Sequence, residues 1–340
     1  MGRSDFLIEV RRYMVNPDER RLRAPWRVTV WTAVAGFGVV LLSGFVWALA
    51  AVWPPLGSDA AVAVVGRQIG LLAGATVLAV GVGSLLDRRT LADYGLEFDR
   101  QWWRDAAFGL ALGAGLPTLI LLVEVAAGAA SVSVSLATTA SGTLPLTAFG
   151  PVAALLVLGA FFLVQATAEE VIVRGYLLTN AAEGLAGWVG RRRAVLVAVG
   201  LTGALFGVLH WTNPSASPLS VTNITLYGLL LGACYVLTGR LGVASGFHVA
   251  WNYTLALLGL PVSGIRMGVR LLSTEQTGPA LLTGGNFGPE GGLVALPLLV
   301  VGGAALYWWV RREYGRVALL ESVAVPDLRV RRDRPGNRDG

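Results

Sequence analysis

Long apolar runs separated by short polar connections dominate the chain. A helix needs about 20 mostly apolar residues to cross the roughly 30 Å hydrocarbon core of a bilayer, and eight runs approach that length. They lie at about 28–53, 63–86, 106–128, 151–170, 194–211, 222–238, 241–260 and 292–310, and the fourth runs to or beyond Glu170. The pattern predicts an all-α polytopic membrane protein with about eight transmembrane helices.

The distribution of arginines orients these predicted spans. The N-terminal segment, alternate connections and the C-terminal tail are rich in arginine, whereas the connections at 54–62, 129–147 and 212–221 contain none. One outer connection breaks the pattern, with Arg266 and Arg270. Because cytoplasmic connections carry an excess of basic residues, we expect a multi-pass protein of the plasma membrane with both termini in the cytoplasm.

The polar stretches divide the chain into one membrane domain and two ends. The domain is predicted at 28–311, after a cytoplasmic N-terminal segment at 1–27 and before a cytoplasmic, disordered tail at 312–340. Acids, arginines and paired tryptophans at 90–105 indicate an interfacial helix. The Gly- and Thr-rich stretch at 271–292 is typical of an outer loop.

Composition supports a membrane protein and excludes some chemistries. Hydrophobic residues make up 54% of the chain and charged residues only 14%, against roughly a quarter charged in soluble domains. The net charge of +6 is placed between apolar runs and at the two ends, which favours a membrane surface over nucleic acid as its partner. The single cysteine, Cys234, excludes an internal disulfide and a multi-cysteine metal site.

Ionisable residues inside the apolar runs are the candidates for chemistry, because each costs about 2.5–3.5 kcal/mol at the bilayer centre. They are Glu124, Glu169, Glu170, Arg174, His210 and His248. Both histidines of the chain are among them, which weakens the alternative that each is an ordinary core residue. Glu124 lies near the outer end of its run, and we interpret it as an outer-surface acid.

The spacing of these residues separates the two adjacent acids. Glu170 and Arg174 are four residues apart and share a helix face, as do His248 and Asn252. Glu169 is rotated by about 100° from Glu170 and is left without a cation. A free carboxylate can serve as a general base, and imidazole and amide N–H groups can stabilise an oxyanion. A buried interhelical salt bridge and an Asn252 hydrogen bond between helices are the structural alternatives.

Three motifs occur in order on separate apolar runs: Glu-Glu-x-x-x-Arg at 169–174, Phe-x-x-x-His at 206–210 and His-x-x-x-Asn at 248–252. In this combination the chain resembles the CAAX protease and bacteriocin-processing (CPBP, Abi) family of intramembrane endopeptidases, which includes the CAAX prenyl endopeptidases of eukaryotes. The resemblance implies a family core at about 147–260.

The resemblance also implies a role for each matched position. Glu169 would activate the hydrolytic water with help from His210, and His248 and Asn252 would stabilise the oxyanion. Supporting roles, by ion pairing or packing, are implied for Glu170, Arg174 and Phe206. The substrate would be a membrane-associated peptide or a protein terminus. The composition suggests a bacterial source, for which processing of bacteriocins or signal peptides, or self-immunity, is expected rather than cleavage of prenylated proteins.

Whether a metal takes part is left open by the sequence. Glu169, His210 and His248 could form a catalytic zinc site with one open position. The H-E-x-x-H helix is absent, however, and an asparagine one turn from His248 suits an oxyanion better than zinc. We therefore favour a metal-free glutamate mechanism without a cofactor.

A membrane channel or transporter is the main alternative function. Buried Glu, His and Asn side chains can also line an ion or proton path. Transport predicts ionisable groups at several depths, whereas proteolysis predicts one compact cluster. A non-catalytic scaffold is a third hypothesis, and the presence of all three motifs argues against it.

Counting residues along the helices gives conflicting depths for the candidate residues. At about 1.5 Å per residue, Glu169 and His248 lie near the cytoplasmic side, whereas His210 lies about 25 Å away from it. The three residues can meet at one level if the fourth helix continues past Tyr176, or if the helix that carries His210 begins below the membrane. The apolar run at 171–178 favours the first alternative, a longer fourth helix. We expect a polar cavity among spans four to seven, open to the cytoplasm.

Overall fold

A computed structural model of the chain describes residues 9, 13–17, 19–57, 61–139 and 144–329. Within these ranges eight long helices form one bundle. They are α1 (Ala24–Val52), α2 (Ala61–Asp87), α3 (Arg100–Ala126), α4 (Pro151–Val189), α5 (Arg191–Leu209), α6 (Pro218–Thr238), α7 (Gly242–Leu257) and α8 (Ala295–Tyr314).

Shorter elements connect the long helices. Two antiparallel ribbons are formed by strands β1 (Val15–Asn16) with β2 (Arg21–Leu22), and β3 (Ala130–Thr138) with β4 (Val269–Gln276). One-turn α-helices occupy Pro54–Gly57 and Ala280–Thr283. Turns of 3₁₀ helix occupy Ala92–Tyr94, Leu146–Ala148, His210–Thr212, Gly285–Phe287, Pro289–Gly291 and Glu321–Ala324.

The predicted polytopic, all-α class is confirmed. Six helices of the described chain, α1 to α6, are long and apolar enough to cross a membrane. Helix α7 has only 16 residues, and the last turn of α8 contains the charged pair Arg311 and Arg312. The exact count of eight spans therefore stays a prediction.

Helix α4 resolves the conflict in depth. It runs for 39 residues, from Pro151 to Val189, so it continues well past Tyr176 as the first alternative required. Gly190, with φ 79° and ψ 154°, then reverses the chain into α5, and this left-handed φ suits glycine. Glu169 lies 21 residues before Gly190 and His210 lies 20 residues after it. Two antiparallel helices of equal rise bring these residues to one level.

Ion pairs join the arginine-rich connections into one end of the bundle, termed here the arginine-rich end. The guanidinium of Arg27 lies 3.1 Å from the Asp87 carboxylate and 2.7 Å from that of Glu183. Arg104 of α3 pairs with Glu313 of α8 at 2.8 Å. The connections at 127–150, 210–217 and 258–294 lie at the other end, termed the loop end.

Glycines allow α3 and α7 to pack with their backbones in contact. A Cβ on Gly109 would lie 2.3 Å from the Val243 carbonyl oxygen, and a Cβ on Gly246 would lie 2.3 Å from the Ala106 carbonyl oxygen. No side chain fits at these distances. The contact fixes the position of α7, which carries His248.

Two expectations about the loop end are wrong. The stretch predicted as an outer loop from 271 begins with strand β4, which pairs with β3 in the register Ala130 to Gln276. Glu124 is not a surface acid: it is only 3% exposed and accepts a hydrogen bond of 2.9 Å from Gln276 Nε2. The ribbon thus covers the end of α3 and supplies a partner for its buried carboxylate.

The arginine-rich end also differs from expectation. The predicted interfacial helix at 90–105 is replaced by one 3₁₀ turn and by the start of α3, where Trp102 is buried. Residues 316–329 pack across this end, because Leu320 N donates to Val236 O at 2.9 Å and Arg329 N to Arg88 O at 2.8 Å. Ordered structure therefore extends past the boundary predicted at 312.

Parts of the two predicted ends lie outside the described residues. These are residues 1–8, 10–12 and 18 of the N-terminal segment and residues 330–340 of the tail.

We predict that Gly246→Ala lowers the melting temperature of the purified protein. The added methyl group would clash with α3 backbone, at a cost of about 1–3 kcal/mol. Gly200→Ala is the matched control, because nothing lies within 4 Å of its Cβ position and alanine favours a helix by about 0.5–1 kcal/mol. The buried Cys234 reports unfolding through its reaction with a thiol-sensitive dye. Equal melting temperatures for the two variants would contradict the close approach.

Candidate active site

Glu170 is the buried member of the acid pair and anchors the site. Its Oε1 lies 2.8 Å from Arg174 Nη1 and 2.8 Å from His248 Nδ1. Arg174 also donates to Gly228 O at 3.0 Å, and its guanidinium lies 4.5 Å from the centre of the Phe206 ring. The ion pair predicted from the spacing is therefore formed, and it is extended to a second helix through His248.

A π-helical segment begins directly after this acid. Residues Val171–Leu178 have π geometry, with ordinary α-helix on both sides. Such bulges are rare and occur frequently at functional sites, because the extra residue per turn changes where neighbouring side chains point. The segment contains Arg174, so it sets the direction from which this cation meets Glu170.

Glu169 is the freer of the two acids. Its side chain is 35% exposed, whereas that of Glu170 is fully buried. Gln165 Nε2 donates a short hydrogen bond to Oε1 of Glu169. The other oxygen, Oε2, has no hydrogen-bond partner among the described residues and lies 3.8 Å from His248 Nε2. Glu169 thus presents one unengaged oxygen beside an imidazole.

His248 projects from α7 between the two carboxylates. Because a carboxylate only accepts hydrogen bonds, we assign the proton to Nδ1, which donates to Glu170. Its Nε2 is then directed towards Glu169. One turn further, Asn252 Nδ2 donates to Gln165 Oε1 at 3.3 Å. Gln165 therefore links the free acid to the asparagine.

His210 follows the last residue of α5 and reaches the same place. Its Nδ1 lies 2.7 Å from the Phe206 carbonyl oxygen, so this nitrogen is assigned as the donor and Nε2 is left as an acceptor. The Phe206 ring lies 4.8 Å from the His210 ring and 5.7 Å from the His248 ring, measured between centroids. Phe206 thus packs against both imidazoles.

One cavity of about 840 Å³ brings the candidate residues together. Its lining includes all four predicted catalytic residues, which are Glu169, His210, His248 and Asn252. Apolar side chains of α2 and α4, such as Leu72 and Phe161, form much of its wall. The arrangement is one compact cluster of ionisable groups in an apolar cavity.

The cavity lies towards the loop end of the bundle. Asn213, Ser263 and Ile265, from connections at that end, are part of its lining. The sequence predicted an opening to the cytoplasm, on the basis that Glu169 lies close to the arginine-rich end. The length of α4 places Glu169 well inside the bundle instead.

Gln165, Tyr227 and Glu290 are among the polar residues of the cavity that sequence reasoning missed. Gln165 lies one turn before Glu169, but a neutral amide gives no strong signal in an apolar run. Tyr227 is fully buried, with its ring 5.9 Å from that of His248, and its hydroxyl has no partner among the described residues. Glu290 lies in a stretch predicted as a loop, where an acidic residue is common and does not indicate a functional site.

Glu290 is the second carboxylate of the cavity and, unlike Glu169, it is buried. It accepts hydrogen bonds from Trp251 Nε1 at 2.9 Å and from Ser263 N at 2.5 Å. Burial raises the pKa of Glu290, and the Ser263 N–H, the Trp251 N–H and the nearby His210 oppose that rise. Its hydrogen bonds from Trp251 and Ser263 come from neutral N–H groups.

The free ring nitrogens of the two histidines are compatible with either a water molecule or a metal ion as their ligand. Among the described residues, no group of three or more His, Cys, Asp or Glu side chains has the arrangement of a metal site. His210 and His248 each use Nδ1 in a contact within the protein, which leaves both Nε2 atoms for an occupant of the cavity.

Comparison with known protein families agrees with this geometry. Residues 151–254 match the family model described as "Type II CAAX prenyl endopeptidase Rce1-like". The match extends from the start of α4 into α7 and contains all three motifs. The resemblance to the CPBP family is thereby confirmed, and the family supports an intramembrane endopeptidase that acts on a peptide or protein at the membrane. No curated protein and no solved structure matches the chain.

We predict that the two adjacent acids differ in their contribution to stability. Glu170→Gln leaves Arg174 buried without a countercharge, which costs about 3 kcal/mol or more, so the melting temperature falls by many degrees. Glu169→Gln removes a half-buried acid without a cation and leaves the melting temperature close to that of the wild type. Thermal unfolding in detergent, followed at Cys234, checks both. A larger loss in Glu169→Gln would contradict the assignment of the paired acid.

Proposed function

We propose that the protein is an intramembrane endopeptidase of the glutamate type, in which Glu169 activates water for attack on a peptide carbonyl. The observation that carries this proposal is that Oε2 of Glu169 has no hydrogen-bond partner among the described residues, while Glu169 and both histidines line the same cavity. Acyl hydrolysis requires a carboxylate base, a group that accepts a hydrogen bond from the attacking water, and hydrogen-bond donors for the oxyanion.

The reaction begins with a water molecule held between Glu169 Oε2 and His210 Nε2. Glu169 takes one proton from this water as the oxygen attacks the carbonyl carbon, and the carbonyl oxygen becomes an oxyanion. When the tetrahedral intermediate collapses, Glu169 returns the proton to the departing amine. The carboxylate is regenerated, and both peptide fragments leave.

The oxyanion is stabilised by donors on α7. In its protonated form His248 donates from both nitrogens, from Nδ1 to Glu170 and from Nε2 into the cavity. Asn252 has two amide hydrogens and uses one on Gln165, so the other can reach the oxyanion. The hydroxyl of Tyr227 is a further donor at the cavity wall.

Glu170 and Arg174 act as positioning residues in this scheme. Glu170 fixes the Nδ1 proton of His248 and the direction of its ring. Arg174 compensates the charge of Glu170, so that of the two acids only Glu169 lacks an arginine partner. Phe206 holds both imidazoles by packing against them.

A metal-free reaction is preferred over zinc catalysis on the chemistry of the donors. Asn252 lies one turn from His248 on α7, and a neutral amide there suits an oxyanion better than zinc. The three residues that could hold zinc are Glu169, His210 and His248. A metal there would supply the activation of water that is here assigned to Glu169.

Transport is the second candidate function. It would require ionisable groups at successive depths through the bundle. The other buried carboxylates, such as Asp87, Asp105 and Glu124, lie towards the ends of their helices. The clustering of acids and imidazoles around one cavity favours proteolysis.

We predict that Glu169→Gln lowers the rate of peptide cleavage by at least about 100-fold, the lower range for loss of a general base. His210→Ala reduces the rate in the same direction, because the water loses its acceptor. The assay uses purified protein in detergent with a library of quenched fluorescent peptides. Glu124→Gln is the matched control: it changes a buried acid remote from the cavity and keeps full activity.

Chelation and ion flux separate the alternatives. The proposal predicts cleavage that is unchanged by a strong zinc chelator, and no proton flux in liposomes. Undiminished cleavage by Glu169→Gln would remove the assignment of the base. Loss of activity in chelator, restored by zinc, would replace it with a metal mechanism, and proton flux that Glu169→Gln abolishes would support the transporter.

A further inference from the structure

We infer that the cavity opens to the extracytoplasmic side of the membrane, and that its substrate is a peptide segment with apolar side chains at the outer leaflet. The inference rests on the proposed function for the cleavage itself. The direction of the opening rests on separate observations of packing and charge.

The bundle is closed between the cavity and the arginine-rich end. Glu170 and Arg174, both fully buried, lie beside Glu169 on that side. A Cβ on Gly175 would lie 3.1 Å from the Tyr94 carbonyl oxygen and 3.5 Å from the Leu241 side chain. The backbone of α4 is therefore in close contact with Tyr94 and Leu241 of the connections at this end.

The opposite side of the cavity is formed by connections of the loop end. Asn213, Ser263, Ile265 and Met267 line the cavity there and are only partly buried. Asn213 Nδ2 donates to Ser263 O at 3.0 Å, which ties the connection after α5 to the one after α7. Of the residues that line the cavity in the described chain, none belongs to a connection at the arginine-rich end.

The charge asymmetry between the two ends assigns the sides of the membrane. Of the 27 basic residues, only Arg67, Arg174, Arg266 and Arg270 lie outside the segments that form or flank the arginine-rich end. The excess of arginine in cytoplasmic connections sets the orientation of membrane proteins. The arginine-rich end is then cytoplasmic, and the mouth of the cavity faces outwards.

The wall of the cavity indicates what enters it. Leu71 and Leu72 of α2 and Phe161 of α4 line it, as does Leu209, whose side chain is 59% exposed at the bundle surface. These side chains match an apolar peptide better than a charged one, because burying an unpaired charge is costly. A segment anchored in the outer leaflet, or the outer end of a membrane-spanning helix, has this chemistry.

Cysteine labelling tests the direction of the mouth without reference to activity. The background is Cys234→Ala, which leaves the chain without cysteine. Ile265→Cys places a thiol at the mouth, and Arg316→Cys places one on the exposed surface of the arginine-rich end. With a membrane-impermeant maleimide on intact cells, we expect Ile265→Cys to be labelled and Arg316→Cys to be labelled only after permeabilisation. The reverse pattern would overturn the inference.

A second measurement connects the mouth to the substrate. In right-side-out vesicles, a membrane-impermeant quenched peptide with apolar residues around the scissile bond is supplied from outside. We expect cleavage by the wild type and none by Glu169→Gln. Labelling of Ile265→Cys should abolish cleavage by that variant, and labelling of Arg316→Cys after opening the vesicles should not affect it.

The two ideas fail in distinguishable ways. Outward labelling of Ile265→Cys with no cleavage of any peptide in detergent would remove the proposed function and leave the direction of the mouth standing. Cleavage that occurs only when the peptide is trapped inside the vesicles, with Ile265→Cys labelled from inside, would overturn the extracytoplasmic substrate and leave the proposed function intact.

Discussion

One carboxylate oxygen, Oε1 of Glu170, connects the two helices that carry most of the candidate site. It lies 2.8 Å from both Arg174 Nη1 and His248 Nδ1, in a part of the bundle where all three side chains are buried. An unpaired charge would be costly there, so the three groups hold one another in place. The contact fixes the ring of His248 and leaves the adjacent Glu169, with an unengaged oxygen, as the acid that can react.

The remaining geometry follows from how the backbone brings these helices together. The Gly190 turn sets α4 against α5 so that Glu169 and His210 fall at one level, although each lies about 20 residues from the turn. Gly109 and Gly246 let α3 and α7 touch, which places His248 at that level too. The cavity is therefore a consequence of helix length and close packing. Ion pairs join the connections at the arginine-rich end, whereas the connections at the loop end pack less tightly. The cavity is therefore open at the loop end.

Residues that interact along one helix were predictable from the sequence, and residues that meet between helices were not. The pair Glu170 and Arg174 follows from a spacing of four residues. The contact of Glu170 with His248 depends on the approach of α7, which no local pattern specifies. Glu290 escaped notice because the cost of burying a charge marks only residues in apolar runs, and this one lies in a glycine-rich connection. Alternation of serine and valine at 131–135 is a signal for β3, but it is weaker than the long apolar runs around it.

The central claim is that Glu169 acts on water and not on the peptide directly. A single turnover of the purified protein in water enriched in ¹⁸O tests this most directly, with the peptide product and the α4 fragment of the protein both analysed by mass spectrometry. The account predicts that the new carboxylate of the product carries ¹⁸O and that Glu169 carries none. A first-turnover product without ¹⁸O, together with label in the Glu169 carboxylate, would contradict it, because the carboxylate would then have attacked the carbonyl itself.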